Sequence, residues 1–308
     1  MGKTLKSISL AVTCSVLLSW SASAQAVKPT SLAEYPNGTF LENAAATPSG
    51  GLLATSYFGR TLELIEPDKA ARTFATLPAH PVGIVRLADG SYLVSAHGAP
   101  FTGGPAFTQT QQLIAVSAKG AVTSTWPVPE ARFLNGLVVL RSGIVLAADS
   151  IAATIWAIDP KTKAVTAWLK DSALAQDATS KEFRPGANGL KLRGNDLLVS
   201  NSSLGTLSKI GIGKNGKPVG RLAEVAKTGP IDDFWIETNG NILFTTHGAQ
   251  LKRLDAAGAQ SIALAEGCDG CTSVFPFRRG GKEGYAVLTT GSLLEGGKGP
   301  TRVLFLPR

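Results

Sequence analysis

An all-β chain folded as a six-bladed β-propeller, with an N-terminal strand closing the last blade, is what this sequence predicts. Three observations carry that expectation: a repeat of blade length, strand-type patterning throughout, and no long helical period with caps. Among 308 residues there are 34 glycines and 17 prolines, 44% of positions are apolar and only 17% are charged. Such a composition suits a turn-rich globular core and excludes a disordered chain or a coiled coil.

In chain order, residues 1–24 read as a cleaved secretory leader. Lys3 and Lys6 form a basic start, Ile8 to Trp20 is mostly apolar, and Ala22-Ser23-Ala24 supplies the small residues of a cleavage site. That apolar run is shorter than the roughly 20 residues a membrane-spanning helix needs. The expectation is a secreted or periplasmic protein, with residues 25–308 forming the propeller domain and no membrane contact once the leader is removed.

Six times thereafter a short apolar segment meets a Gly-bearing turn and a second apolar strand. The turns are Ser49-Gly50-Gly51, Asp89-Gly90, Ser142-Gly143, Gly194-Asn195, Asn239-Gly240 and the stretch from Gly280 to Gly284. The strands that follow run from Leu52, Tyr92, Ile144, Leu197, Ile242 and Ala286, and most end in small polar residues. A third strand follows most of them, as in Leu62 to Ile65 or Thr154 to Ile158. The period of about 40 to 53 residues is that of a propeller blade. The last repeat has three strands only, so the segment around Ser31 to Tyr35 is expected to supply the fourth and remove the open sheet edge.

Alignment on the turns exposes a polar column. Glu42, Val82, Asn135 and Asp232 each lie eight residues before a turn glycine, and Asn188 and Thr272 take the same place in the fourth and sixth repeats. The first strand of a propeller blade lines the central channel, so these side chains should converge at one mouth. Two carboxylates there would repel, and one would tend to hold a proton. A divalent cation removes that conflict, and the oxygen set suits Ca2+, with Mg2+, Mn2+ or Zn2+ as alternatives. Against this stands the ordinary role of Asn-Gly as a hairpin turn. Asn135-Gly136 and Asn188-Gly189, however, precede the first strand of a repeat, where no hairpin is expected.

A second column ends the second strand of each repeat: Tyr57, His97, Asp149, Asn201, His247 and Gly291. Antiparallel pairing brings it to the same mouth. His97 and His247 are the candidate acid–base groups there, with Asp232 as the other, and Tyr57, Asp149 and Asn201 are candidate substrate contacts. Two long connections, from Gly98 to Gln111 and from Asp171 to Gly186, could cover the mouth; the first is a mobile lid or a disordered insertion.

Cys268 and Cys271 in Cys-Asp-Gly-Cys are expected to form a local disulfide in an oxidising compartment. The formal charge of +8, of which Lys3 and Lys6 leave with the leader, favours anionic small molecules. No Lys/Arg cluster points to nucleic acid. The partner is expected to be a small-molecule substrate, and oligomeric state is not legible.

The segments from Phe40 to Asn43, Arg132 to Leu137, Ala187 to Leu190 and Ile231 to Phe234 resemble the blade starts of the senescence-marker-protein/gluconolactonase family, which includes regucalcin. That resemblance implies a six-bladed propeller and a gluconolactonase- or aldonolactonase-like hydrolase acting through a divalent metal. By position it implies Glu42, Asn188 and Asp232 as metal ligands and Asn135 as substrate contact or additional ligand. The family's lactonases place an Arg two residues before that Asn. Here Arg132 stands three before it, which puts its grip on a sugar acid in doubt. Asp233 is left a bracing role. Two other readings stay open: a metal-stabilised propeller that binds without turnover, and a strictosidine-synthase-like carbon–carbon bond-forming enzyme.

Overall fold

The computed structural model describes residues 28–308, so the expected leader lies outside the described residues. Six four-stranded antiparallel sheets are arranged as blades, and in five of them the strands follow chain order from inside to outside. These span residues 41–76, 80–127, 134–170, 187–227 and 234–264. The sixth takes its inner three strands from residues 271–307 and its outermost from Thr30–Tyr35. That N-terminal strand runs antiparallel to Thr301–Pro307, with Thr30 opposite Phe305 and Tyr35 opposite Thr301. The ring is therefore closed by pairing of the two ends of the described chain, as the three-stranded last repeat predicts.

The core lies between blades rather than within them. Leu53 and Leu62 of the first blade pack with Val94 and Ile114 of the second, and equivalent clusters fill the other junctions. Each sheet is apolar on both faces because each face meets a neighbouring blade, which explains the near-continuous burial of second strands such as Leu52–Ser56. Among the described residues no helix is long and apolar enough to cross a membrane.

One irregularity recurs and positions the site. In the first strand of blades 1 to 4 the pairing register shifts at the polar column, between Leu41 and Ala44, Pro81 and Ile84, Leu134 and Leu137, and Ala187 and Leu190. Each shift is a β-bulge, which frees two residues from the ladder and re-aims their side chains. A hydroxyl from the second strand fills most of these gaps. Thr55, Ser95 and Ser200 accept from the freed N–H of Asn43, Gly83 and Gly189. The same oxygens donate onward to the carbonyls of Val82, Asn135 and Asp232 in the next blade. In blade 5 Thr245 repeats the pattern between Asp233 and Thr272. In blade 6 a first-strand hydroxyl supplies only the onward half, Ser273 donating to the Glu42 carbonyl of blade 1. Blade 3 has Ala148 at the equivalent place, and Ser150 substitutes by donating to the Ala187 carbonyl.

Candidate metal centre

The bulges deliver Glu42, Val82, Asn135 and Asn188 to one mouth of the channel, and Asp232 joins them just before the first strand of blade 5, Phe234–Ile236. They line a cavity of about 610 Å³. Thr272, the sixth member of the column, does not line it; its hydroxyl is spent on the Leu41 carbonyl.

At the floor, ligand-type atoms of Glu42, Asp232 and His247 all lie within 4.8 Å of one another. Asp232 is fixed from its backbone, donating to the Thr245 carbonyl and accepting from Ser200. Its side-chain Oδ1 accepts from Asn188 Nδ2, which also donates to Ser202. His247 is held in a left-handed conformation (φ 58°), with its N–H donating to the Cys271 carbonyl. A non-glycine residue in that region is strained and persists only where its surroundings fix it. Cys271 is in turn bonded to Cys268 and fully buried, so the disulfide borders the segment that anchors His247.

The donor set fits a cation. Glu42 Oε2 and Asp232 Oδ2 are buried and accept no hydrogen bond. His247 Nε2 comes within 2.7 Å of Asp232 Oδ2, yet no hydrogen bond satisfies that oxygen, so the contact is close without being aligned. Atoms that face a common point, rather than each other, give this geometry. Burial pushes the Glu42 carboxyl well above its usual range, and the neighbouring Asp232 charge pushes it further. For His247, burial opposes the charged ring, but the Asp232 and Glu42 carboxylates outweigh it and raise the imidazole to about 9. Two buried carboxyl oxygens without an aligned donor, one of them on a carboxyl pushed towards its neutral form, mark a place where a divalent cation would replace a proton.

Asp233 sits in a different environment. Its two oxygens meet Lys191 Nζ and Asn43 Nδ2, and Lys191 lies over the rings of Phe234 and Phe275. The adjacent acids thus face separate charges: Asp233 has a resident lysine, and Asp232 faces the cavity.

Other candidates are placed elsewhere. Both nitrogens of His97 are used: Nε2 donates to the Leu134 carbonyl at 3.1 Å, and Nδ1 accepts from the Tyr57 hydroxyl at 2.9 Å. Burial lowers its pKa to about 3, so the ring is neutral and has no nitrogen free for acid–base work. The Tyr57 hydroxyl also accepts from the Phe101 N–H, leaving only the ring to face the cavity. Asp149 does not line the cavity; its carboxylate accepts from four backbone N–H groups, including those of Arg132 and Phe133, and from the Trp156 indole. Asn201 likewise ties the carbonyls of Ala173 and Ala175 to the turn at Ser203. The Arg132 guanidinium caps the carbonyls of Pro129 and Ala131 and does not line the cavity. The substrate roles expected for Asp149, Asn201 and Arg132 are corrected accordingly: their polar groups hold loops.

Both long connections reach the mouth. Phe101 from the first and Phe183 from the second line the cavity, as do Leu294 and Glu295 from a third loop. The first is docked rather than loose, through Phe101 N–H on Tyr57 and the buried Phe107. These lining residues were not singled out from sequence; the aromatic content of the two long connections was the available signal.

No protein-family description matches the chain, and no curated protein does either. Solved structures do. A luciferin-regenerating enzyme aligns over 91% of this chain and 96% of its own, at 12% identity and a TM-score of 0.65. A gluconolactonase from Xanthomonas campestris aligns over 91% and 90%, at 15% identity and 0.64. The calcium-binding protein regucalcin from Agrobacterium tumefaciens aligns over 92% and 96%, at 15% identity and 0.61. At such identities the likeness establishes the fold: a six-bladed propeller of the gluconolactonase and regucalcin type.

Proposed function

We propose that this propeller is a metal-dependent hydrolase of cyclic esters, with Glu42, Asp232 and His247 holding a divalent cation. The observation that carries the reading is the pair of buried, donor-less carboxylate oxygens beside His247 at the cavity floor. When bound, such a cation supplies Lewis acidity to a substrate carbonyl. The imidazole extends the acceptable ions from Ca2+, favoured by oxygens alone, to Zn2+ and Mn2+. Asn188 keeps the Asp232 carboxylate in one orientation through Oδ1. As water adds to the ester carbonyl carbon, the Asp232 carboxylate takes its proton and returns it to the departing ring oxygen when the ester C–O bond breaks. Asn135, whose Nδ2 is held by Ser150, contacts the substrate from the third blade. The gluconolactonase and regucalcin likenesses support a lactonase-type propeller with a metal.

The test is metal analysis of the purified protein together with a lactone panel assayed with and without chelator. Turnover lost on chelation, and lost in Asp232→Ala and Glu42→Ala with folding retained, is the expected result. Metal bound with no turnover of any lactone overturns the hydrolase and leaves a binding propeller. A second reading rests on His247. A virginiamycin B lyase from Staphylococcus aureus, solved as a catalytically inactive histidine-to-alanine variant with quinupristin, aligns over 86% of this chain and 80% of its own, at 12% identity and a TM-score of 0.55. A lyase would use His247 as base, and cleavage without uptake of water identifies it. We further propose that the protein acts after export, on the strength of the leader-like residues 1–24.

A further inference from the structure

The cavity has two chemistries on two parts of its lining, and the contrast identifies what fits it. The floor carries the unsatisfied polar atoms. Beside it runs an arc of contacting rings, tilted or edge-on to one another, from Tyr57 of the first blade to Phe183 in the connection between the third and fourth. Phe101 packs on Tyr57 at 4.8 Å, Tyr57 on His97 at 5.6 Å, His97 on Phe133 at 4.6 Å, and Phe133 on Phe183 at 5.8 Å. The polar atoms within this arc are already committed. The Tyr57 hydroxyl and both His97 nitrogens are hydrogen-bonded internally, and Arg184 at the rim pairs with Glu182 at 3.1 Å. Phe183 is 55% exposed and Leu294 49%, large apolar groups held at the mouth with nothing over them among the described residues.

We infer that the substrate is a lactone bearing an aryl or alkyl substituent, bound with its ester group at the Glu42–Asp232–His247 floor and its apolar substituent against the Phe101–Tyr57–Phe133–Phe183 arc. This rests on the hydrolase reading above and narrows it. Polar groups such as Ser202, Thr246 and Glu295 also line the cavity, but the hydroxyls of a polyhydroxylated lactone lying on the arc would meet ring faces that offer neither donor nor acceptor, and buried hydroxyls without partners are unfavourable. An apolar substituent instead leaves water for a wall that is itself poorly solvated. Arg132, the residue that the family resemblance offers for gripping a sugar acid, is occupied by backbone carbonyls outside the cavity. The aldonolactone class thus loses its expected contact here, and the ring arc replaces it.

The test pairs two six-membered lactones, 6-phenyl-δ-valerolactone and glucono-δ-lactone, with their unreactive lactam counterparts, using the metal-loaded full protein. The expected kcat/KM for the phenyl lactone exceeds that for gluconolactone by about tenfold or more, and Phe183→Ser cuts that ratio by about tenfold. Phe183 is half-exposed, so this variant folds; Phe101→Ala is the second variant and should move the ratio the same way. A preference for gluconolactone overturns the inference while leaving the hydrolase standing. If neither lactone is hydrolysed, the hydrolase fails by itself and calorimetric titration with the two lactams decides the pocket. Tighter binding of the phenyl lactam, weakened in Phe183→Ser, supports the apolar occupant, and equal or absent binding overturns it.

Discussion

Asp232 and Asp233 are adjacent in sequence, yet only Asp233 is neutralised by a lysine, and this difference defines the metal prediction. Addition of the cognate divalent ion at a hundredfold excess over its Kd should stabilise the protein by about 2.7 kcal/mol, a Tm rise of several degrees. Glu42→Gln and Asp232→Asn should abolish that rise, whereas Asn43→Ala, whose side chain meets Asp233 and the Ala44 N–H but not Asp232, should keep it; thermal melts with and without ion check both. His97 supplies a pH prediction. In the unfolded chain it titrates near the usual value of about 6.5, and in the fold at about 3. The unfolded state therefore binds a proton that the folded ring refuses. Stability is complete above pH 6.5 and falls as pH drops from there towards 3, by about 1.4 kcal/mol per pH unit from this group. His97→Gln should flatten that slope in urea denaturation measured across the window. At this scale the sequence was only half legible. His97-Gly98 and His247-Gly248 are identical dipeptides at equivalent repeat positions, but their second strands end differently. The Tyr92–His97 strand continues through the histidine and buries it, while the Ile242–Phe244 strand stops early and releases His247 into a left-handed turn over the cavity.

Among elements, the bulge and its hydroxyl form the working unit. Ser200 accepts from the Gly189 N–H and donates to the Asp232 carbonyl, both buried, so Ser200→Ala leaves two polar groups unsatisfied at once. A loss of about 1–3 kcal/mol is expected in urea denaturation. Ser142→Ala, in an exposed turn, should be near neutral. Lactone turnover in Ser200→Ala should fall more than stability alone accounts for, because the carbonyl it holds belongs to Asp232. The turn spacing made the polar column readable, and the Ser and Thr that end the second strands were visible as well. Their purpose was not, because a bulged pair of residues has the same composition as a regular strand. The loops show the same boundary. Their length marked them as covers for the mouth, but the bond from Phe101 to Tyr57 depends on a folded distance that no local pattern encodes.

For the whole molecule, six repeats of blade length and a missing last strand were enough to place the closure, since an unpaired edge must find a partner. Removing residues through Tyr35 would leave Thr301–Pro307 as an open edge. The expected outcome is a lower Tm with dimers on size-exclusion chromatography; a monomer with an unchanged melt would count against the closure as a source of stability. The same pairing has a consequence for how the protein is made. The outermost strand of the sixth blade is synthesised well before its partner, so no chain that stops short of Thr301–Pro307 reaches the closed ring. Such long-range pairing is slow, and unfinished blades stay exposed meanwhile. The closure thus acts as a check on the ring: a chain lacking either of these two strands remains open to proteases, and one that has both becomes resistant in a single step.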